Sequence, residues 1–139
     1  MSAVDVRALS VRPPWSHYLR LGAKRVENRT WTTRWRGQLV IHAGQKLDPA
    51  GFTVGAQLGV PVEPDEVNRG EYIAVAELVD AHMAGQGCGH ACDEWAEPDC
   101  WHWVLAGVRP LVTIDGPGRL GLWVPPTGVI EQVGGGDPS

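Results

Sequence analysis

The sequence predicts one α+β domain, a small mixed β-barrel with flanking helices, and three observations carry that prediction. The chain has 139 residues, close to the usual size of a single domain. It holds 18 Gly and 11 Pro, a turn-rich composition that disfavours a helical bundle. Its apolar residues fall into short stretches of strand-like alternation, about six or seven of them, with two helical patterns between.

Arg7 to Arg12 alternates apolar and polar residues as a half-buried strand does. Pro13-Pro14 ends it, and Pro14 suits a first helical turn. Trp15, Tyr18 and Leu19 then share one helical face, and Gly22 stops the helix. Arg25 to Trp31 is a second extended segment. Thr32 to Gly37 is a polar turn, and Gln38 to Ala43 is a β-branched strand. Asp48-Pro49 has the chemistry of an N-cap followed by a first-turn proline, opening a helix to about Leu58 that Gly51 and Gly55 weaken. Tyr72 to Val79 is apolar on both faces, hence a central strand. Ala84 to Cys100 reads as a long loop. Three short strands follow, at 101–105, 111–114 and 120–124. Residues 1–128 form the domain and 129–139 a flexible tail, so truncation after Thr127 is expected to be tolerated.

Several classes are excluded. No stretch approaches the roughly 20 apolar residues of a membrane span. The N-terminus shows no secretory signal, and the odd count of 3 Cys argues against a disulfide framework. These features predict a soluble cytoplasmic protein with no membrane partner. No P-loop, dinucleotide fingerprint or serine nucleophile elbow is present. Charge is divided unevenly. Residues 1–46 hold nine Lys and Arg against two acids, and residues 47–139 hold three Arg against fourteen acids. A basic third of this kind suits an anionic partner such as nucleic acid.

The chemistry concentrates in Gly22-Ala-Lys-Arg-Val-Glu-Asn-Arg29. In an extended strand Glu27 and Arg29 point to one side, and Lys24 arrives from the preceding loop. Trp15, Trp31 and Trp35 lie among Arg29, Arg34 and Arg36, with Arg12 beside Trp15. Interleaved indoles and guanidiniums suit bases and phosphates. Glu77 is the lone charge between Tyr72 and Val79. A buried carboxylate needs a partner, and Lys24 is the expected one. Lys24→Ala is expected to abolish function and leave the domain folded. His42 is read as a satisfied structural histidine.

The segment Gly22-x-Lys24-x-x-Glu27-x-Arg29 resembles the signature of the ASCH domain, a family of the PUA-like superfamily. The likeness extends to Leu9-Ser-Val-Arg12 with Pro14-Trp15, to Arg36-Gly37 with Leu39 to Ala43, and to Trp101-His-Trp103, Arg109-Pro-Leu111 and Gly121-Leu-Trp123. It covers roughly Val6 to Val124. The resemblance implies a PUA-like β-barrel with flanking helices and a cleft bearing the motif. It implies binding of nucleic acid, RNA before DNA, or of a nucleoside. One bacterial branch is similar to amidohydrolases of N4-acylated cytidine, and other members to ribonucleases. In the amidohydrolase branch a Lys, a Thr and a Glu carry the reaction. Lys24 matches the Lys, Glu77 best matches the Glu, and Glu27 stands at the Thr position.

The resulting expectation is a nucleic-acid-binding cleft of Arg12, Trp15, Arg29, Trp35 and Arg36, with a hydrolase using Lys24, Glu27 and Glu77 as the alternative. Cys88, His90, Cys92, Cys100 and His102 have metal-ligand chemistry, but the spacing C-x₃-C-x₇-C is not a standard zinc pattern. They are read as part of an ordinary loop. No metal and no cofactor are assigned, and no protein partner is named.

Overall fold

A computed structural model describes residues 5–86 and 92–134. The elements run β1 (Val6–Val11), α1 (Trp15–Leu21), β2 (Val26–Arg29), β3 (Gly37–Ala43), α2 (Pro49–Gln57), a 3₁₀ turn (Pro64–Glu66), β4 (Glu71–Met83), β5 (Trp101–Asp115), β6 (Leu122–Trp123) and α3 (Thr127–Gly134). The strands form one sheet in the order β2-β5-β4-β3-β1-β6. β1 and β3 are parallel and the other pairs antiparallel. The sheet curls into a half-barrel whose edges are the short strands β2 and β6. No helix among the described residues is long and apolar enough to cross a membrane.

Both sheet faces are buried, which is why β3 and β4 are nearly continuous runs of Val, Ile, Leu and Ala. Leu39 and Ile41 point to the first core, with Leu9, Val11, Ile73, Leu78 and Trp103, under Leu19 of α1. Val40 points to the second core, with Val6, Tyr72, Val75, Leu111 and Trp123. The glycines of α2 have a packing reason. A Cβ on Gly55 would lie 1.9 Å from Tyr18 Oη, and one on Gly51 would lie 2.8 Å from Pro14. Tyr18 Oη donates to the Gly51 carbonyl at 3.1 Å, so α2 seats directly on α1.

Three elements differ from the sequence expectation. Residues 101–105 and 111–114 belong to one 15-residue strand, β5. Gly107 adopts φ 60° and the β4–β5 register shifts beside Val75/Glu77, so the strand bends through Pro110 without ending. β4 continues to Met83, past the expected end at Val79. Residues 129–134 belong to α3, where the expected flexible tail over 129–139 was to begin. Val129 is fully buried and Val133 nearly so. The Gln132 side chain exchanges two hydrogen bonds with the Val112 backbone at 2.8 and 2.9 Å, and Arg109 donates to the Val133 carbonyl at 2.9 Å. Residues 129–134 thus cap the second core.

Two consequences are measurable by urea denaturation. Truncation after residue 128 should destabilise the domain by about 3–5 kcal/mol, the value of two buried valines. An unchanged midpoint would show that α3 contributes nothing. Gly55→Ala should cost at least about 2 kcal/mol, because the added methyl must displace Tyr18.

Candidate functional site

Gly22, at φ 79°, ends α1 in the left-handed region that glycine adopts without strain. Its N–H returns to the Leu19 carbonyl at 3.0 Å, and the Lys24 N–H to the Tyr18 carbonyl at 3.2 Å. This turn directs Lys24 inward, where its side chain is 1% exposed. The ammonium donates to the Val26 carbonyl and, at 2.9 Å, to Glu27 Oε1. Glu27 Oε2 lies 3.3 Å from Arg29 Nε, and Arg29 Nη2 donates to the Ser10 carbonyl of β1. The chain of charges is Lys⁺–Glu⁻–Arg⁺, buried at one end and open at the other. It leaves one net positive charge in the site.

Above this chain lies a cleft of about 850 Å³. Its walls are the end of β1, the first residue of α1, the segment from Glu27 to Trp31, and the loop 118–121. Arg12, Arg29 and Arg119 line it, and among the described residues Glu27 is its one acid, already shared by two cations. Trp15 is half-buried at the same cleft. Its indole N–H donates to Asp48 Oδ2 at 2.8 Å, while Asp48 Oδ1 caps α2 through the Ala50 N–H at 3.2 Å. The helix cap therefore fixes the orientation of the ring. A smaller chamber of about 200 Å³ adjoins, lined by Trp15, Lys24, Glu27, Asn28, Asp48 and Glu97. The arrangement offers guanidiniums to phosphates, an indole to a base, and an ammonium at the floor to a carbonyl or an anion.

The structure brings together Arg12, Trp15, Lys24, Glu27 and Arg29, and separates them from three other expected residues. Glu77 is exposed and lines another cavity, of about 320 Å³, with Gln38, Val75 and Arg109. Strand alternation puts it on the side of Val75, beyond the residues that form the second core. The buried carboxylate beside Lys24 is Glu27, not Glu77. Trp35 and Arg36 lie outside the cleft as well. The chain leaves β2 at Arg29, so strand periodicity does not carry to them. Trp35 packs under the Arg7 guanidinium, 4.5 Å from the ring centroid. Arg36 is exposed and donates to the carbonyls of Thr33 and Trp35 at 2.9 and 2.8 Å.

Arg119 and Asn28 were not anticipated. The signal for Arg119 was its setting between Gly118 and Gly121. A Cβ on Gly118 would lie 2.9 Å from Ser10 Oγ, so the loop can hug β1 and carry Arg119 to the cleft. His42 is structural. Its Nδ1 lies 3.1 Å from Ser10 Oγ, and its Nε2 donates to the Gly116 carbonyl at 2.7 Å. Cys88 and His90 lie outside the described residues. Cys100 donates to Asn28 Oδ1 at 3.6 Å. Burial, then the nearby carboxylates of Glu97, Glu27 and Asp99, push its thiol above the usual range, so it stays protonated at neutral pH.

The burial of Lys24 changes the expectation for its removal. Lys24→Ala should lower stability by about 3 kcal/mol in urea denaturation, since breaking a buried pair strands its partner. A loss below about 0.5 kcal/mol would show that Arg29 alone satisfies Glu27.

The cleft and its ion chain fall within a span that matches a known family. A family model described as the ASCH domain matches residues 9–113. No curated protein matches the chain. Among solved structures, the chain is similar to a crystal structure of a mutant ZmASCH protein from Zymomonas mobilis, with 12% identity and a TM-score of 0.57. That likeness covers 92% of this chain and 95% of the other, and it establishes a mixed α+β, PUA-like fold. With most of its length matched, from within β1 to near the end of β5, the chain belongs to the ASCH domain family.

Proposed function

We propose that this domain binds single-stranded nucleic acid or a nucleotide in the cleft of about 850 Å³, RNA before DNA. One observation carries the reading. Three guanidiniums, Arg12, Arg29 and Arg119, converge with the oriented indole of Trp15 around a single, neutralised carboxylate. Phosphates pair with the arginines and a base stacks on Trp15. Membership of the ASCH family supports nucleic acid as the ligand class.

A hydrolytic reading, on an acylated nucleoside or on RNA, rests on a separate observation. Lys24 and Glu27 both line the small chamber beside the cleft. Its machinery would be Lys24 as electrophile or proton carrier, oriented by Glu27, with Glu77 taking no part from its remote cavity.

Tryptophan fluorescence titrated with a short unstructured RNA separates the readings. With three phosphate contacts, affinity should fall about 20-fold between about 50 and 200 mM salt. Arg12→Ala and Arg119→Ala should each flatten the salt slope by about 0.7, while Arg36→Ala should not. Salt-independent binding, or binding indifferent to Arg12 and Arg119, would contradict the proposal. Turnover of N4-acylcytidine or RNA that is lost in Lys24→Met would favour the hydrolase.

A further inference from the structure

Away from the cleft, β4 and β5 set two histidines face to face. His82 and His102 are directly paired across the antiparallel ladder, with ring centroids 5.4 Å apart. Cys92, on the return from the β4–β5 connection, places its sulfur between them. Sγ lies 3.1 Å from His82 Nε2 and 3.3 Å from His102 Nδ1, and the three ligand atoms fall within 4.8 Å of one another. The geometry points to a zinc-type metal site formed by His82, Cys92 and His102.

The outer contacts of the two rings support that assignment. His82 Nδ1 lies 2.7 Å from Asp80 Oδ2, and His102 Nε2 lies 2.5 Å from the Glu97 carbonyl oxygen. Each acceptor takes a ring N–H, so each ring turns its unprotonated nitrogen toward the sulfur. A carboxylate or carbonyl behind each ligating imidazole is the usual outer shell of a metal-bound histidine. The spacing also fits. A tetrahedral ion with Zn–N of about 2.1 Å and Zn–S of about 2.3 Å sets N···S at about 3.6 Å, a few tenths beyond the observed separations. Thiolate with two imidazoles selects zinc over magnesium or calcium. Binding releases the Cys92 proton to solvent.

The site has a structural consequence for the cleft and does not depend on the proposed function. It would pin the segment 92–100 to the β4–β5 ladder. That segment supplies Trp95, whose ring packs 4.8 Å from Tyr18 and whose carbonyl accepts from Asn28 at 2.9 Å. It also supplies Glu97, whose N–H donates to Asn28 Oδ1 at 3.0 Å and which lines the small chamber.

Cobalt titration of the full, chelator-stripped chain tests the site. The expected result is one Co²⁺ per chain with thiolate-to-cobalt absorption, displaced by Zn²⁺, and a melting temperature raised by the ion. Cys92→Ser should weaken binding by at least about 100-fold and Asp80→Asn by about 10-fold, with Cys100→Ser unchanged. Absence of stoichiometric uptake by the unmutated chain would overturn the site whatever the variants do. So would thiolate absorption that survives in folded Cys92→Ser, or uptake of copper with neither Co²⁺ nor Zn²⁺ bound.

Discussion

An ammonium taken out of water must find anionic or carbonyl partners, and the way Lys24 finds them organises one side of this molecule. Its Nζ joins the turn after α1 to the Val26 carbonyl and to Glu27 of β2. Glu27 hands the charge on to Arg29, and Arg29 reaches the Ser10 carbonyl of β1. β1 and β2 lie far apart in strand order, with β5, β4 and β3 between them. The ion chain spans the open side of the curled sheet and holds together what the ladder does not. A hydrophobic cluster could do the same with less desolvation cost. What the charges add is a cationic floor under a concave surface.

The cleft is assembled from pieces whose positions are each fixed by something else. Trp15 is oriented by the carboxylate that caps α2. Arg119 is carried in by a glycine loop that packs on Ser10 and His42, and His42 is in turn bonded to the Gly116 carbonyl. Asn28 is clamped by Trp95 and Glu97 from the β4–β5 connection. Trp15 and Asn28 are held by these contacts before any ligand arrives, so they add little ordering cost on binding.

Much of the fold was legible because its signals are local. Alternation marked β1, a β-branched run marked β3, an unbroken apolar run marked the first part of β4, and the Asp48-Pro49 pair marked the start of α2. The Lys24, Glu27 and Arg29 cluster followed from strand periodicity plus a glycine stop. What was not legible depends on non-local facts. Gly107 and Pro110 look like breakers, yet β5 runs through them because β4 holds it along most of its length, with bulges absorbing the misfit. Val129 and Val133, at helical spacing, were the sign of α3, obscured by the glycines that follow. Glu77 reads as buried from its apolar neighbours, but its exposure is decided by where the second core ends. His82 has no local mark at all. Its non-local neighbours include Cys92, ten residues on, and His102, which meets it only in the ladder register.

The central claim is that ligand occupies the face bounded by β1, β2 and the loop 118–121. Its most direct test is an NMR shift map of the ¹⁵N-labelled chain titrated with a short single-stranded RNA. The account predicts the largest changes at the Trp15 indole N–H, at Arg12, at the Arg29 side chain and at Arg119, with the Glu77–Arg109 face unmoved. Shifts concentrated around Glu77, Gln38 and Arg109, with the Trp15 indole unaffected, would contradict it.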